Sequence, residues 1–497
     1  MPRFPTLLVL LSSILAASFA KADLPNVVLL MGDDHGWDET AYNGHPYLKT
    51  PVMDEMAAKG LRLDRFYSAA PNCSPTRGSF MTGRHPNRYG TFNPNWSIRP
   101  EEVTIAQVMK QAGYATGHFG KWHLGPVKKE SPTSPGSLGF DEFLSHDNFF
   151  ELNPSFSRNG GPPKVYPGES SEIVVEHALD FIEKTKRNGK PFFVVIWYGS
   201  PHEPYDALEK DLALYRNLPK KFKSQTTKLT SLETGTATER PVYDVIQERF
   251  AEITAMDRSI GQLRDRLDSL SVRDNTLLWY CGDNGTPGGV NVASPLRESK
   301  GSMYDGGIRV PGLIEWPARI KRPAVSKIPS VTSDILPTLC SIVGQPFPQR
   351  PIDGIDLTPI FDGKMDSRPY PIFFWSYDSG SEPARNPRPY IDASLQKGTT
   401  PLVKLMRGEA TRTFVNYHHP YIVPEDFRGA RAAMDGRYKL VIHDRNEFKR
   451  ELFDLEKDPG EKKDIAEQKP ELVRTLEAQL RSWQHSTLLS LTGADYR

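Results

Sequence analysis

The 497-residue sequence has three cysteines, almost no net charge and no long hydrophobic run after residue 22. Three cysteines are too few for a disulfide-rich extracellular domain, so a hydrophobic core must stabilise the fold. A formal charge of +1 excludes a strongly basic surface, so we expect no nucleic-acid partner. No later apolar run approaches the length of a membrane span, and we expect none. The remaining class is a globular chain, 38% hydrophobic and 25% charged, long enough for two domains.

The first residues differ in composition from the rest of the chain. Arg3 precedes an apolar run at residues 7–15, and an Ala-x-Ala pattern follows at residues 20–22. A cationic start, a short apolar core and an Ala-x-Ala ending are typical of a secretory signal peptide. We therefore predict a signal peptide at residues 1–22 and an exported mature protein, periplasmic or secreted, that begins near Asp23.

Two of the cysteines lie in apolar segments. Cys281 and Cys340 have surroundings typical of structural thiols, and we predict that both are core residues. A disulfide between them is the alternative.

Apolar runs of strand length alternate with amphipathic segments of helix length. Runs without polar residues, such as 26–31 and 191–197, are typical of strands buried on both faces of a parallel sheet. The predicted strands are 26–31, 61–67, 114–119, 191–197 and 276–280, and the predicted helices are 50–60, 104–111, 171–185 and 242–270. This alternation predicts an α/β fold in which helices cover a mainly parallel sheet.

A change in composition predicts two domains. The first spans residues 23–366 and contains a polar, lysine-rich insertion at 206–240, which we expect to be an irregular surface segment. The second, residues 367–497, is predicted to be a smaller α+β domain. Its predicted elements are strands at 370–375 and 438–442 and a C-terminal helix at about 470–483.

Polar residues follow the predicted strands of the first domain. In an open α/β sheet, ligands bind beyond the carboxyl ends of the strands, so we expect these residues to meet in one site. They are Asp33, Asp34, Cys73, Arg77, Lys121, His123, His202, Asp283 and Asn284. Each alone is also typical of a turn or a surface, and the inference rests on their joint positions.

Four of these residues form a candidate cation site. Asp33, Asp34, Asp283 and Asn284 offer oxygen ligands only. Such a set suits Ca²⁺ or Mg²⁺ and not Zn²⁺. Asx turns are the alternative interpretation of both segments.

Cys73 is predicted to lie at the N-terminus of a helix, because Pro75 takes an early helical position. Free N–H groups there, with Arg77 one turn later, favour a thiolate or a bound anion. The alternative is an inert cysteine in a strand-to-helix turn. We interpret the segment as an anion-handling site.

The spacing Cys73-x-Pro75-x-Arg77, continued by Gly83-Arg84, resembles the signature of the type I sulfatases, which belong to the alkaline phosphatase superfamily. Further segments match in the family's order and extend the resemblance to nearly the whole mature chain. They are residues 120–125 with Lys121 and His123, Pro201-His202, residues 300–311 with Lys300, residues 437–440 and residues 451–455.

This resemblance implies an alkaline-phosphatase-like sandwich with a large, mainly parallel mixed sheet between helices. It also implies a smaller C-terminal α+β domain with a short antiparallel sheet and a C-terminal helix. Cys73 would be oxidised to formylglycine by a formylglycine-generating enzyme. The implied metal is one Ca²⁺, with Mg²⁺ as the alternative. Its implied ligands are Asp33, Asp34, the modified Cys73, Asp283 and Asn284.

The resemblance also implies catalytic roles. The hydrated formylglycine at Cys73 would attack sulfur and displace the alcohol. Sulfate would then leave as a second hydroxyl loses its proton to His123. Arg77, Lys121 and Lys300 would neutralise the sulfate oxygens. Either His202 or Lys300 would protonate the leaving alcohol, and the sequence leaves this choice open.

Some positions depart from the commonest family pattern. Thr76 stands where Ser or Ala is more usual, Phe80 where Leu is frequent, and Asp305 where Glu is frequent. We expect Cys73 still to be modified, because Thr76 and Phe80 keep the shape of the motif. A residue on the substrate side of the site is expected to be Ser145 or His146.

A sulfated carbohydrate is the expected substrate, and an aryl sulfate is the other possibility. Specificity is expected to come from the insertion at 206–240 and from loops at 379–420. One alternative function is a phosphodiester or phosphonate monoester hydrolase of the same superfamily, because such enzymes share the cysteine motif. The other is a non-catalytic protein that binds sulfated glycans.

Overall fold

The computed structural model describes residues 24–230, 236–378, 388–401, 412–444 and 447–496. The predicted signal peptide lies outside the described residues. Among the described residues, no helix combines the length and the apolar composition needed to cross a lipid bilayer.

Strands and helices alternate through most of the chain. The strands are β1 (Asn26–Gly32), β2 (Leu61–Leu63), β3 (Phe66–Tyr67), β4 (Ala115–Lys121), β5 (Glu142–His146), β6 (Ser155–Arg158), β7 (Lys164–Val165), β8 (Phe192–Trp197), β9 (Thr226–Thr230), β10 (Ala237–Pro241), β11 (Thr276–Gly282), β12 (Arg309–Val310), β13 (Gly312–Glu315), β14 (Ala324–Ser326), β15 (Ser330–Val331), β16 (Ile372–Trp375), β17 (Arg431–Asp435), β18 (Tyr438–His443) and β19 (Lys449–Asp454). The helices are α1 (Pro51–Lys59), α2 (Cys73–Thr82), α3 (Ile105–Gln111), α4 (Ser170–Arg187), α5 (Glu209–Leu212), α6 (Val242–Ser269), α7 (Asp305–Ile308), α8 (Ile335–Val343), α9 (Thr358–Phe361), α10 (Ala393–Gln396) and α11 (Pro470–Leu491).

A ten-stranded mixed sheet forms the centre of the molecule, in the order β14-β2-β13-β11-β1-β8-β4-β5-β6-β7. The five strands from β11 to β5 run parallel. Antiparallel pairing joins β13 on one side and β6 on the other. The mainly parallel α/β sheet predicted from the sequence is therefore confirmed.

Both faces of this sheet are covered by helices. Val27, Leu29 and Met31 of β1 pack in the cluster that includes α2, α3 and α8. The alternate residues Val28 and Leu30 pack in the cluster that includes α1, α4 and α6. Side chains of a strand point alternately to opposite faces, so an uninterrupted apolar run is what a strand between two helical layers requires.

Two predictions about local structure were wrong. The run at 61–67 is not one strand, because β2 joins the large sheet while β3 joins a separate three-stranded sheet, β12-β3-β15. The two residues between them, 64 and 65, form a turn. The insertion at 206–240 is partly regular, since it contains α5 and the hairpin β9-β10, although residues 231–235 lie outside the description.

The C-terminal region has the predicted α+β architecture. Strands β16 to β19 form a four-stranded antiparallel sheet in sequential order. One face packs on α11, and the other packs on residues of β3, α7 and β15. Helix α11 runs eight residues past its predicted end, to Leu491, because Leu488 and Leu491 pack with Trp375 and Tyr377. The domain boundary at 366/367 stays a prediction.

All three cysteines are free and buried. The prediction of core thiols at Cys281 and Cys340 is therefore confirmed, and the alternative disulfide is wrong.

Candidate functional site

The carboxyl ends of four parallel strands meet at one edge of the large sheet. Asp33 and Asp34 follow β1, and Asp283 and Asn284 follow β11. Lys121 is the last residue of β4, with His123 two residues later, while His202 lies in the loop after β8. Cys73 and Arg77 arrive on α2, which follows the small three-stranded sheet. The segments that sequence analysis placed together lie together.

Buried ion pairs hold the centre of the site. Lys121 Nζ lies 2.6 Å from Asp33 Oδ2. Arg77 Nη2 lies 2.8 Å from Asp283 Oδ2 and 3.5 Å from Asp33 Oδ1. All four side chains are fully buried. A buried charge is tolerated only when it is paired, so each carboxylate depends on a cation from another element.

Asp34 makes a second set of contacts at the same point. Lys300 Nζ lies 2.6 Å from Asp34 Oδ1, and His202 Nε2 lies 3.7 Å from Asp34 Oδ2. The backbone N–H of Asp34 donates to Asp283 Oδ1 at 2.8 Å. Asp34 has φ of 60°, a strained conformation for a residue with a Cβ, and such strain is found where function requires a special geometry.

The charges of the site shift its pKa values in opposite directions. Burial raises the pKa of Asp33, but Lys121, His202 and Arg77 outweigh it and hold that pKa well below the ordinary value. Burial and the neighbouring Asp33 raise the pKa of Asp283 to about 7, although Arg77 opposes them. The pKa values of Asp33 and Asp283 shift in opposite directions because the two carboxylates are close together and the nearby cations stabilise the charge of Asp33 more than that of Asp283.

Cys73 is the first residue of α2 and is buried beside these carboxylates. Its Sγ lies 3.5 Å from Asp33 Oδ1 and 3.8 Å from Asp34 Oδ1. Burial raises the pKa of the Cys73 thiol well above its ordinary value, despite the opposing cations Lys121 and Lys300. Burial therefore opposes the effect of the helix N-terminus and disfavours a thiolate at Cys73, and a protonated thiol is a weak nucleophile.

Oxygen atoms at the site fit a hard divalent cation. The carboxylates of Asp33 and Asp34 lie with Cys73 and His202 in one cluster whose possible ligand atoms are within 4.8 Å of one another. The buried Oδ1 of Asn284 has no hydrogen-bond partner among the described residues, while its Nδ2 donates to Asp34 Oδ1 at 2.9 Å. A buried amide oxygen without a donor is a suitable ligand for Ca²⁺.

Two asparagines that sequence analysis missed determine the protonation of His123. Asn95 Oδ1 accepts hydrogen bonds from His123 Nε2 and Asn148 Nδ2, both at 3.1 Å. Because an amide oxygen can only accept, His123 Nε2 carries the proton, and Nδ1 of the neutral ring is an acceptor. This buried Nδ1 has no partner among the described residues. Positive φ values at Asn95 and His123 mark both as strained.

His202 is oriented by its own loop and by an aromatic ring. Its Nδ1 donates to the carbonyl of Glu203, which leaves Nε2 facing Asp34. The imidazole stacks on Phe149, with ring centroids 4.5 Å apart and an interplanar angle of 11°. Phe149 was not identified from the sequence, since the adjacent phenylalanines Phe149 and Phe150 lie in a loop and have no distinguishing spacing.

Ser145 and His146, expected on the substrate side, are both engaged inside the protein. Ser145 Oγ bonds His118 Nδ1 at 2.7 Å in the core. His146 Nδ1 accepts from the Asn148 N–H, and its Nε2 lies 3.2 Å from the Pro401 carbonyl. Strand β5 directs both side chains to internal partners, and a role for either on the substrate side stays a prediction.

The three departures from the commonest motif have structural partners. Thr76 Oγ1 donates to the Ala70 carbonyl at 2.7 Å. Phe80 packs edge-on against Trp197 with centroids 5.4 Å apart. Asp305 Oδ1 accepts from Lys439 Nζ at 2.8 Å.

Arg249 of α6 connects two loops of the site, and sequence analysis missed it. Its guanidinium donates to the backbone carbonyls of Asp34, at 2.6 Å, and of Pro201. Its Nε donates to Glu39 Oε1 at 2.7 Å, and its Nη1 donates to Tyr205 Oη at 3.1 Å. Arg249 thus fixes the backbone beside Asp34 to the backbone beside His202.

Comparison with known proteins identifies related sequences and folds. A family model described as sulfatase matches residues 25–345. Arylsulfatase A of Homo sapiens is 32% identical over 400 residues, which cover 73% of this chain and 72% of that protein. N-acetylgalactosamine-6-sulfatase of Homo sapiens is 31% identical over 396 residues, covering 71% and 69%. The crystal structure of Ps i-CgsB in complex with k-i-k-neocarrahexaose shares the fold, with a TM-score of 0.73 at 21% identity over 93% of both chains.

We predict that Arg249→Met lowers the free energy of unfolding by about 3 to 5 kcal/mol, because it leaves Glu39 as an unpaired buried carboxylate. Urea denaturation measures the change. The double variant Glu39→Gln/Arg249→Met should lose less, since no charge is then stranded. Arg266→Met on the same helix removes a partly exposed pair with Glu183 and should cost less than about 1 kcal/mol. Equal losses of unfolding free energy in Arg249→Met and Arg266→Met would contradict the role of Arg249 as the buried partner of Glu39.

Proposed function

Because the chain belongs to the sulfatase family and is a sulfuric ester hydrolase, we propose that it hydrolyses a sulfate monoester on a sulfated carbohydrate. The proposed nucleophile is a formylglycine made from Cys73, assisted by one bound Ca²⁺. The observation that supports this most is the position of Cys73, at a helix N-terminus among three carboxylates and three cations. A formylglycine-generating enzyme would act before folding buries Cys73, during export to the periplasm or the medium.

The proposed ligands of Ca²⁺ are Asp33, Asp34, Asp283, Asn284 and the modified Cys73. The buried Oδ1 of Asn284, which has no hydrogen-bond partner in the described ranges, supports this set. When bound, Ca²⁺ supplies positive charge that favours an ionised oxygen nucleophile and an anionic sulfate.

Formylglycine at position 73 supplies an aldehyde whose hydrate is an oxygen nucleophile, in place of a buried thiol. Arg77, Lys121 and Lys300 are proposed to bind the sulfate oxygens, because charge develops there during reaction. Their existing carboxylate contacts fix their positions before a substrate arrives. Arg77 is further held over the ring of Trp197, 5.0 Å from its centroid.

Protons are proposed to move at two histidine nitrogens. His123 Nδ1 is an acceptor in the neutral ring and suits a base that takes a proton from the residue at position 73. His202 keeps one proton on Nδ1 for Glu203, so Nε2 can carry the proton delivered to the leaving alcohol. Lys300 is the alternative acid, and its contact with Asp34 instead favours an electrostatic role.

Sulfated sugars are the proposed substrates because two kinds of relative point to them. N-acetylgalactosamine-6-sulfatase is named for a sulfated sugar, and Ps i-CgsB was solved with k-i-k-neocarrahexaose. An aryl sulfate remains the substrate class named for arylsulfatase A.

We predict that matured wild-type protein releases sulfate and that Cys73→Ala lowers kcat/KM by at least about 10³-fold, since it removes the nucleophile. Ion chromatography of sulfate, with an aryl sulfate and a panel of sulfated sugars, makes the measurement. Cys340→Ala removes another buried free thiol and should retain activity. Faster turnover of an aryl phosphodiester than of every sulfate would instead favour a phosphodiesterase, and retained activity in Cys73→Ala would exclude the mechanism.

We also predict that EGTA inactivates the enzyme and lowers its melting temperature, and that Ca²⁺ restores both, because a ligand bound only by the native state stabilises it. Asn284→Ala should raise the Ca²⁺ concentration needed for half-maximal stabilisation by at least about 10-fold. Asn188→Ala, an exposed control at the end of α4, should leave that concentration unchanged. A melting temperature that changes with neither EGTA nor Ca²⁺ would refute a calcium site.

A further inference from the structure

An extended segment of the C-terminal region passes beside the candidate site. Thr413, Val415 and Tyr417 form β-bridges with Lys397, Trp96 and Pro389. Bridges at every second residue define an extended backbone, in which residues two apart point to the same side. Arg412 and Phe414 therefore share one side of this segment.

Phe414 shows which way that side faces. Its ring is buried and lies 6.3 Å, centroid to centroid, from the ring of His123 in an edge-on arrangement. The face shared by Arg412 and Phe414 is therefore the one turned toward the site.

Arg412 lies one aromatic ring away from His202. Its guanidinium carbon is 5.9 Å from the centroid of Phe149, and Phe149 stacks on His202 at 4.5 Å. His202 Nε2 in turn lies 3.7 Å from Asp34. Arg412 is thus outside the group formed by Arg77, Lys121 and Lys300, yet close enough to meet a neighbouring part of the same substrate.

The charge of Arg412 has no counterpart in the described part of the chain. None of the described carboxylates lies within ion-pair distance of its guanidinium, and its buried Nε has no described hydrogen-bond partner. Burial lowers the pKa of Arg412, which fits the lack of an anion beside it. Other partly buried arginines are paired, among them Arg240 with Glu248 and Arg258 with Asp211. A desolvated guanidinium without an anion is costly unless a ligand supplies one.

We propose that Arg412 is a specificity-determining residue that binds a second anionic group on the glycan, next to the sulfate ester that is hydrolysed. The inference rests on the proposed function and deepens it. The shared chemistry is an anionic oxygen group, either a sulfate ester or a uronate carboxylate, which the planar guanidinium binds with two parallel hydrogen bonds.

The test compares Arg412→Gln with wild type on four substrates. These are an aryl sulfate, a monosulfated monosaccharide, a disulfated monosaccharide and a monosulfated disaccharide that contains a uronate. We expect kcat/KM to fall by about 10- to 100-fold on one or both doubly anionic sugars, mainly through KM, because charge-assisted hydrogen bonds are lost. The aryl sulfate and the monosulfated sugar should change by less than about twofold. Which doubly anionic sugar responds identifies the second group.

Two further variants serve as controls. Arg412→Lys keeps the charge but not the planar fork and should recover part of the lost activity on the responding sugar. Arg474→Gln removes an exposed arginine of α11, outside the loops at 379–420, and should match wild type on all four substrates. Melting temperatures of all variants establish that they fold.

Several outcomes would overturn the proposal. One is an equal loss on all four substrates, which indicates a structural role. A second is an unchanged kcat/KM of Arg412→Gln on every substrate. A third is a wild-type kcat/KM that is no higher for the doubly anionic sugars than for the monosulfated sugar. Calorimetry with the Cys73→Ala protein, with and without Arg412→Gln, measures the affinity for the same sugars in the absence of turnover. If sugar binding depends on Arg412 but the wild-type protein hydrolyses no sulfate ester, the anion-binding role of Arg412 is supported and the proposed function is wrong.

Discussion

Three buried carboxylates held together by two buried cations, Arg77 and Lys121, and by the partly exposed Lys300 are the constraint on which the site depends. Asp33, Asp34 and Asp283 would repel one another in a medium of low dielectric constant, so each needs a positive partner. Arg77 comes from α2, Lys121 from the end of β4 and Lys300 from the segment before α7. Pairing these charges fixes the mutual positions of elements that are far apart in the sequence. The same arrangement would give the proposed Ca²⁺ and the proposed sulfate group oppositely charged neighbours.

The C-terminal region completes this arrangement from one side. Lys439 of β18 is fully buried and pairs with Asp305 at 2.8 Å and with Glu461 at 2.9 Å. Asp305 opens α7, five residues after Lys300, so the small sheet supports the segment that brings this cation to Asp34. The extended segment of Phe414 lies against His123. The C-terminal region therefore contributes none of the three central carboxylates, but it supports the segment that carries Lys300 and borders the site at His123.

The sequence predicts the large sheet and most polar residues of the site because both follow local rules. The apolar runs of β1, β8 and β11 require burial on two faces, and parallel strands bring Asp33, His202 and Asp283 to one edge. The break between β2 and β3 depends on two different partner sheets, which no local pattern of residues 61–67 encodes. Asn95, Phe149 and Arg249 escaped detection for a related reason, since each acts through contacts at least 28 residues away in the chain.

The central claim is that a converted Cys73, and not a thiol, performs the chemistry in this cluster of charges. Mass spectrometry of the peptide that contains Cys73 tests it most directly, on protein produced with and without a formylglycine-generating enzyme. The account predicts an aldehyde at position 73 only in the co-produced protein, with sulfatase activity proportional to the converted fraction. An unmodified thiol in a fully active enzyme would contradict it.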